Sequence, residues 1–578
     1  MYVQTYGKVY QPLGEKQVRL VRLQPGVFGQ PLICTLDAIE LDNPPSYEAL
    51  SYVWGSEEKG KTAQVNEQNI NITENLHVAL NYLRNESATI TLWVDALCIC
   101  QDETSDKSSQ VRMMGDIFRK ATRTWIWLGE ASDEDKAVVD YLCNASSDKE
   151  IKPKDLPMPA LQHFFGRPWF RRLWILQEAL LSQQPVAQCG NKTTDFTRIV
   201  KLSTDLIFDN LGNNRGDAFV QCKLKRCLHE WDALKGVLAA GGWPLLHAMP
   251  MTETLECTKF EDRVYALLGL ATEADRKFVQ VDYSRPFEEI QTELCAYLIC
   301  SPENPLHALH YMGGASAEGG GVMPSWTRDW TAPKTEQWRL VRKAANVPAQ
   351  ERWHMLYTTP ATLGYEWLNA EAERFPWTME PAALGSDVVR FSADLKTLAL
   401  KGIQVDEVQS AHPAPLQGDE AAWKSTCEEW KEIALEKMKA YASPEERFEA
   451  FCKTLCRGDY RDHDGVLRAT CGDAYQTWIS GQDHSSSNGP RDDFSFRVKA
   501  VGMERSWVVT GRGYAAIAPG DTKEGDLICF FKGNLDPFVL RRREDTFAFI
   551  GDTFVPDLMN GEWIQAAKGT DVKEFRIQ

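Results

Sequence analysis

Tyr47-Glu-Ala-Leu-Ser-Tyr-Val-Trp-Gly55 is a mostly apolar run halted by a glycine. A run of this length reads as a strand buried on both faces. Downstream, Leu76, Leu80 and Leu83 recur at helical spacing behind Thr73, a ready N-cap. Ile90–Ile99 is a second apolar run, and Val111, Met114, Ile117, Phe118 and Ala121 form a second helical stripe. Thr124–Leu128, ended by Gly129, reads as a third strand, Trp169–Leu181 as a third helix, and Pro185–Cys189 as a fourth short strand. Two-faced apolar strands alternating with amphipathic helices imply an α/β domain whose parallel sheet is flanked by helices.

That domain is expected over residues 45–195, behind a strand-rich lead-in over 1–44 that contains Val18–Leu23 and Leu32–Ile39. Helices dominate residues 196–330, including Arg263–Leu270 and Phe287–Cys300, with a Gly-rich loop at Gly313–Gly321. Residues 331–578 read as a mixed α+β, β-rich region that could be regulatory. Val388–Val405 and Ser506–Val555 are strand-like there, Ala421–Leu455 is charged and helical, and Ser485–Pro490 reads as a break.

A chain of 578 residues with 43% hydrophobic and 25% charged residues has the balance of a globular protein of several domains. The 64 basic residues are outnumbered by 81 acidic ones, a formal charge of −17. The densest basic run, Arg541-Arg-Arg543, is followed at once by Glu544 and Asp545. Binding to nucleic acid or anionic membrane needs concentrated positive charge, so neither is expected as a partner. No apolar run reaches the length of a bilayer span, and the first residues lack a signal peptide's basic start and apolar core. A cytoplasmic location is expected, with the 15 cysteines as reduced thiols.

Several motifs fail on physical grounds. Gly55-Ser-Glu-Glu-Lys-Gly-Lys-Thr62 satisfies the P-loop pattern, but Ala63–Ile72 alternates and turns like a β-hairpin where a helix is required. Glu57 and Glu58 would also put negative charge into the anion cradle. Cys98 and Cys100, read on one side of a strand, lack the further His or Cys that zinc needs. Neither HExxH nor Gly-x-Ser-x-Gly occurs, so no metal or cofactor is expected.

Three blocks resemble the signature of the fungal heterokaryon-incompatibility (HET) domain. They are Tyr47–Gly55, Leu92-Trp-Val-Asp-Ala-Leu-Cys-Ile-Cys-Gln101 and Arg167-Pro-Trp-Phe-Arg-Arg-Leu-Trp-Ile-Leu-Gln-Glu178. Asp262–Leu270, Asp282-Tyr-Ser284 and Pro324-Ser-Trp326 resemble the family's helical continuation. Gly513-Tyr514, Gly525-Asp526 and Pro537–Leu540 resemble its tail. Cys100 departs from the family's usual Asp or Asn, which would alter activity if that side chain binds ligand. The element order is also that of a TIR domain, a flavodoxin-like sheet. In TIR enzymes that cleave NAD, a Glu follows a Trp by four residues on the helix after the third strand. Trp174 and Glu178 have that spacing here.

The resemblance implies a cell-death effector that hydrolyses NAD or a related nucleotide as substrate, through self-assembly on activation and an incompatibility partner protein. Glu178 is the candidate catalytic residue. Read as one helix, the segment puts Arg171, Trp174 and Glu178 on a single face. Cleaving the nicotinamide–ribose bond releases a neutral ring, so one carboxylate that stabilises the sugar cation can suffice. The alternative is a surface Glu completing an amphipathic helix. Asp95 is the only formal charge in Ile90–Ile99, so it either lines the ligand crevice at the sheet's carboxyl edge or caps a neighbouring loop. Ser51, Tyr52 and Trp54 end the first strand and reach the same edge, Trp54 as a stacking platform or as core. Gln101, closing the second block, completes the candidate substrate-binding set. A non-enzymatic adaptor acting by self-association or partner binding, and a degenerate ligand sensor, remain open.

Overall fold

The computed structural model describes residues 9–55, 60–143, 155–209, 224–300, 306–313, 323–330, 389–415, 419–456, 458, 470–481, 494–532, 534, 536–558 and 572–578. The chain divides into two compact units, Met1–Pro286 and Phe287–Gln578.

The first unit is built on a nine-stranded sheet. Its strands are β1 (Gln17–Leu23), β2 (Leu32–Glu40), β3 (Glu48–Ser51), β4 (Lys61–Val65), β5 (Gln68–Ile72), β6 (Ile90–Trp93), β7 (Arg123–Trp127), β8 (Pro185–Cys189) and β9 (Lys192–Asp195). They lie in the order β5-β4-β2-β1-β6-β3-β7-β8-β9. The sheet is mixed, where the sequence predicts a parallel one. Only β6, β3, β7 and β8 run parallel to their neighbours in an unbroken block. Numbered along the chain, that block has the spatial order 2-1-3-4, which belongs to doubly wound sheets. The two lead-in strands are hydrogen-bonded into the same sheet, β1 antiparallel to both β2 and β6. The boundary expected at residue 44 therefore does not separate them from it.

Local chemistry explains the elements that match expectation. Helix α1 (Glu74–Leu83) starts where the Thr73 side chain accepts the Leu76 N–H. β4 and β5 form the hairpin that the failed P-loop reading implies, with Asn66 and Glu67 at φ 47° and 63°. Both turn residues in the left-handed region give the twist that tight hairpins favour.

Three elements depart. The apolar run from Ile90 ends as a strand at Trp93 and continues, after Val94, as the one-turn helix α2 (Asp95–Cys98), so Cys98 and Cys100 do not share a strand face. A longer helix, α3 (Thr104–Lys120), follows. Trp169–Leu181 is not one helix: a 3-10 turn over Pro168–Arg171 gives way to extended backbone at Arg172 and then to a short helix, Ile175–Leu180. The helix expected over Arg263–Leu270 is the short Asp262–Tyr265 followed by turns.

In the second unit, helix Phe287–Ile299 matches expectation within a residue. The long strand β11 (Leu398–Pro413) pairs with β10 (Val389–Phe391), β12 (Arg505–Thr510), β14 (Leu527–Phe531) and β17 (Lys573–Ile577). From β14 the ladder runs through β15 (Pro537–Arg542) and β16 (Phe547–Asp552) and back to β17, where Phe547 meets Ile577. The sheet thus returns to β11 and closes on itself. β13 (Ala515–Pro519) extends the other branch from β12. Helices Glu420–Lys437, Pro444–Leu455, Cys471–Ser480 and Phe494–Gly502 lie between β11 and β12 in sequence and share a core with Trp507, Val509 and Ile517. The expected loop at Gly313–Gly321 falls, after its first residue, outside the described residues, as does the break at Ser485–Pro490.

Candidate active site

The site forms where β3 and β6 end. Ser51 is the last residue of β3, and its buried hydroxyl donates to the Glu178 carboxylate while accepting the Trp169 indole N–H at 2.9 Å. Glu178 lies in the short helix Ile175–Leu180 and is only 4% exposed. Beyond β3 the chain continues through buried Tyr52 to Trp54, whose indole donates to Asp95 Oδ2 at 2.7 Å. The Tyr52 hydroxyl also bonds to the Asp95 carboxyl. Gln101 Nε2 donates to the Asp95 backbone carbonyl at 3.1 Å, holding the turn that carries it.

Asp95 follows the end of the apolar strand, and the cost of burying its carboxylate is offset in part by hydrogen bonds and by Arg172. At the start of α2 its Oδ1 accepts the Ala96 N–H at 2.6 Å. Asp95 thus lies just beyond the carboxyl end of β6, and its side chain meets the backbone N–H of the next residue and not those of a neighbouring loop.

The cation at the site is Arg172, which sequence spacing misses in favour of its neighbour. Arg171 is turned away, its guanidinium donating to the Gly166 carbonyl at 3.1 Å. Arg172 donates to the Tyr52 carbonyl and acts electrostatically on both Glu178 and Asp95. The inversion has a tertiary cause. Glu256 bridges the extended segment, its N–H donating to the Arg171 carbonyl at 2.6 Å and its carbonyl accepting the Leu173 N–H at 2.8 Å. That contact breaks the helix on which the expected face depended. Trp174 also differs from expectation: its indole donates to Asp262 Oδ2 at 3.1 Å, and the Tyr283 hydroxyl donates to Oδ1 at 2.6 Å. The Arg171-Arg172 doublet and the Asp262 and Tyr283 blocks were the available signals; none specifies which partner meets which.

Burial pushes the Glu178 carboxyl up to about 7, against the pull of Arg172 and the Ser51 hydrogen bond. Burial also raises Asp95, while Arg172 and the Trp54 hydrogen bond restrain it. A carboxyl titrating near neutrality beside a second carboxyl and a guanidinium can hold a cation, stabilise developing positive charge or take a proton.

A second layer fixes the α2 segment. Arg19 of β1 makes two hydrogen bonds to Asp106, at 2.9 and 3.0 Å, and one to the Cys98 carbonyl at 3.0 Å. Asp106 also accepts the Cys100 N–H at 2.9 Å. Cys100 is buried, and burial raises its thiol. The helices meet closely behind Glu178: a Cβ on Gly269 would lie 2.3 Å from Gln177 Oε1 and 2.8 Å from the Gly115 Cα. Among the described residues no group of three or more His, Cys, Asp and Glu is placed to hold a metal, and no helix is long and apolar enough to cross a membrane.

Residues 47–178, which carry every one of these β3, Asp95 and Glu178 contacts, match the family model described as heterokaryon incompatibility protein (HET). Residues 374–574 match that of the Het-6 beta-barrel domain, in agreement with the closed sheet there. The chain belongs to the HET-domain proteins. It is similar along nearly its whole length to Heterokaryon incompatibility protein 6, OR allele, of Neurospora crassa. The two are 24% identical, over 96% of this chain and 95% of the relative. No solved structure matches the chain.

Proposed function

We propose that this chain is an incompatibility-type cell-death effector whose HET domain hydrolyses NAD at the nicotinamide–ribose bond. The observation that carries the reading is the buried Glu178 carboxyl, set among Ser51, Asp95 and Arg172 at the carboxyl ends of parallel strands and pushed up to about 7. A cationic nicotinamide ring entering beside it favours the ionised form, so substrate itself completes the charge the reaction needs. The glycosidic C–N electrons leave with the ring, which departs neutral. The ribose C1′ becomes cationic and is stabilised by Glu178. Water then adds to C1′ and its proton passes to the carboxylate. Trp54 and Asp95 bind and orient the nicotinamide riboside half, and Arg172 offsets the repulsion between the two carboxyls.

The TIR analogy supports this reading at the level of fold alone. Self-association on activation and an incompatibility partner protein belong to the proposal, which shares with the relative only its name as a heterokaryon incompatibility protein. The second reading is a non-enzymatic module acting through self-association or partner binding, in which the 4% exposed Glu178 is a structural residue and not the surface one expected. The two part in one assay: nicotinamide release from NAD by the full chain beside Glu178→Gln and Glu178→Ala. Release lost in both folded variants supports the enzyme; no release by wild type, even under enforced oligomerisation, supports the module.

A further inference from the structure

Two lysines meet over one aromatic ring beside this site. Lys107, in the first turn of α3, places its Nζ 4.5 Å from the centre of the Tyr283 ring. Lys259 places its own 4.9 Å from the same ring. Lys107 is half-buried and Lys259 exposed. The two ammonium groups are close enough to interact directly. Burial first, and then its partner's charge, holds the Lys107 ammonium below its ordinary value.

Like charges held together need compensation, and the acid best placed to give it is already occupied. Both oxygens of Asp262 accept from aromatic donors, the Trp174 indole and the Tyr283 hydroxyl. Asp262 and Glu261 therefore temper the lysine pair without closing on it. Two ammonium groups over an aromatic floor, with one edge open to solvent, have the charge and donor count that a phosphate or pyrophosphate demands. The pair is tied to the Glu178 helix through Asp262 and Trp174. Trp174, whose indole holds Asp262, lies one helical turn before Glu178, and its carbonyl accepts the Glu178 N–H.

We propose that Lys107 and Lys259, over Tyr283, form a binding subsite for the phosphates of a nucleotide whose ribose end lies at Glu178. The identity of the nucleotide as NAD rests on the Glu178 reading; the phosphate subsite does not. Its role is in binding, so Lys107 and Lys259 set affinity and the phosphate requirement, while Glu178 acts on the bond.

The test is calorimetric binding of ADP-ribose to the full chain, wild type beside Lys107→Gln, Lys259→Gln and Lys107→Arg, with adenosine as the phosphate-free control. Losing one charge-assisted contact is expected to weaken ADP-ribose about tenfold in Lys107→Gln, and less in the exposed Lys259→Gln. Lys107→Arg, which keeps the charge, is expected to stay within about threefold of wild type and guards against simple misfolding. Adenosine should be unaffected throughout, and inorganic pyrophosphate should compete with ADP-ribose in wild type and much less in Lys107→Gln. Equal ADP-ribose affinity in wild type and both Gln variants, or no binding to wild type, overturns the subsite. A wild type that binds ADP-ribose through the lysines but releases no nicotinamide from NAD refutes the Glu178 reading and leaves the subsite standing.

Discussion

Glu178→Gln should make the protein more stable at alkaline pH while abolishing nicotinamide release. The carboxyl's ordinary value is 4.5, and burial carries it to about 7 in place. A carboxyl raised on folding binds its proton more tightly in the native state. Its contribution is therefore most favourable below 4.5, declines as pH rises, and reaches its floor above about 7. Ionising the buried group at pH 8 costs about 3 kcal/mol, and at pH 5 less than about 1 kcal/mol. Glutamine has the same shape, never ionises, and can still accept the Ser51 hydroxyl, though its amide N–H must find a partner at a cost of about 1 kcal/mol. The variant should thus exceed wild type by about 2 kcal/mol at pH 8 and lose that advantage near pH 5. Urea unfolding of both chains at the two pH values measures the difference. An advantage that does not change with pH, or a variant less stable at pH 8, would refute the claim that burial raises the Glu178 carboxyl. Stability gained with activity lost is what a functional site built at a cost to the fold predicts.

Three further outcomes follow from glycine packing and from a second titrating group. Gly269→Ala puts a methyl against Gln177 and the Gly115 backbone, and should cost about 1–3 kcal/mol and depress NAD cleavage by displacing the Glu178 helix. Gly236→Ala, in a helix with open space around the new methyl, should be stabilising by up to about 1 kcal/mol in the same melts. In the second unit, burial opposes charge on His310, but Asp536 and Asp552 outweigh it and lift the imidazole from 6.5 to about 9. That stabilisation is complete below 6.5 and lost as pH rises through about 9, a fall of about 3 kcal/mol that His310→Gln should flatten in melts between pH 6 and 10.

What the sequence determined by itself was what local chemistry controls. Apolar runs stopped by Gly55 and Gly129 gave β3 and β7, Thr73 capped α1, and the alternation of Ala63–Ile72 turned through Asn66 and Glu67 into a hairpin and disposed of the P-loop. The three blocks that resemble the HET signature brought Ser51, Asp95 and Glu178 into one hypothesis, because each ends or follows an element of the parallel block. Tertiary structure alone decided the rest, since it depends on partners distant in the chain. Strand pairing placed the lead-in inside the sheet, where Arg19 grips Asp106 from 87 residues away. Glu256 broke the helix at Arg172 and so chose which arginine faces the carboxyls. No periodicity near Ile90 shows where that strand stops, because an apolar turn of helix and an apolar strand carry the same composition; the structure ends it before Asp95, whose carboxylate takes hydrogen bonds from Trp54 and Ala96. Closure of the second sheet likewise needs Ile577 to find Phe547, a contact between chain positions that hydrophobic pattern marks as buried but cannot pair.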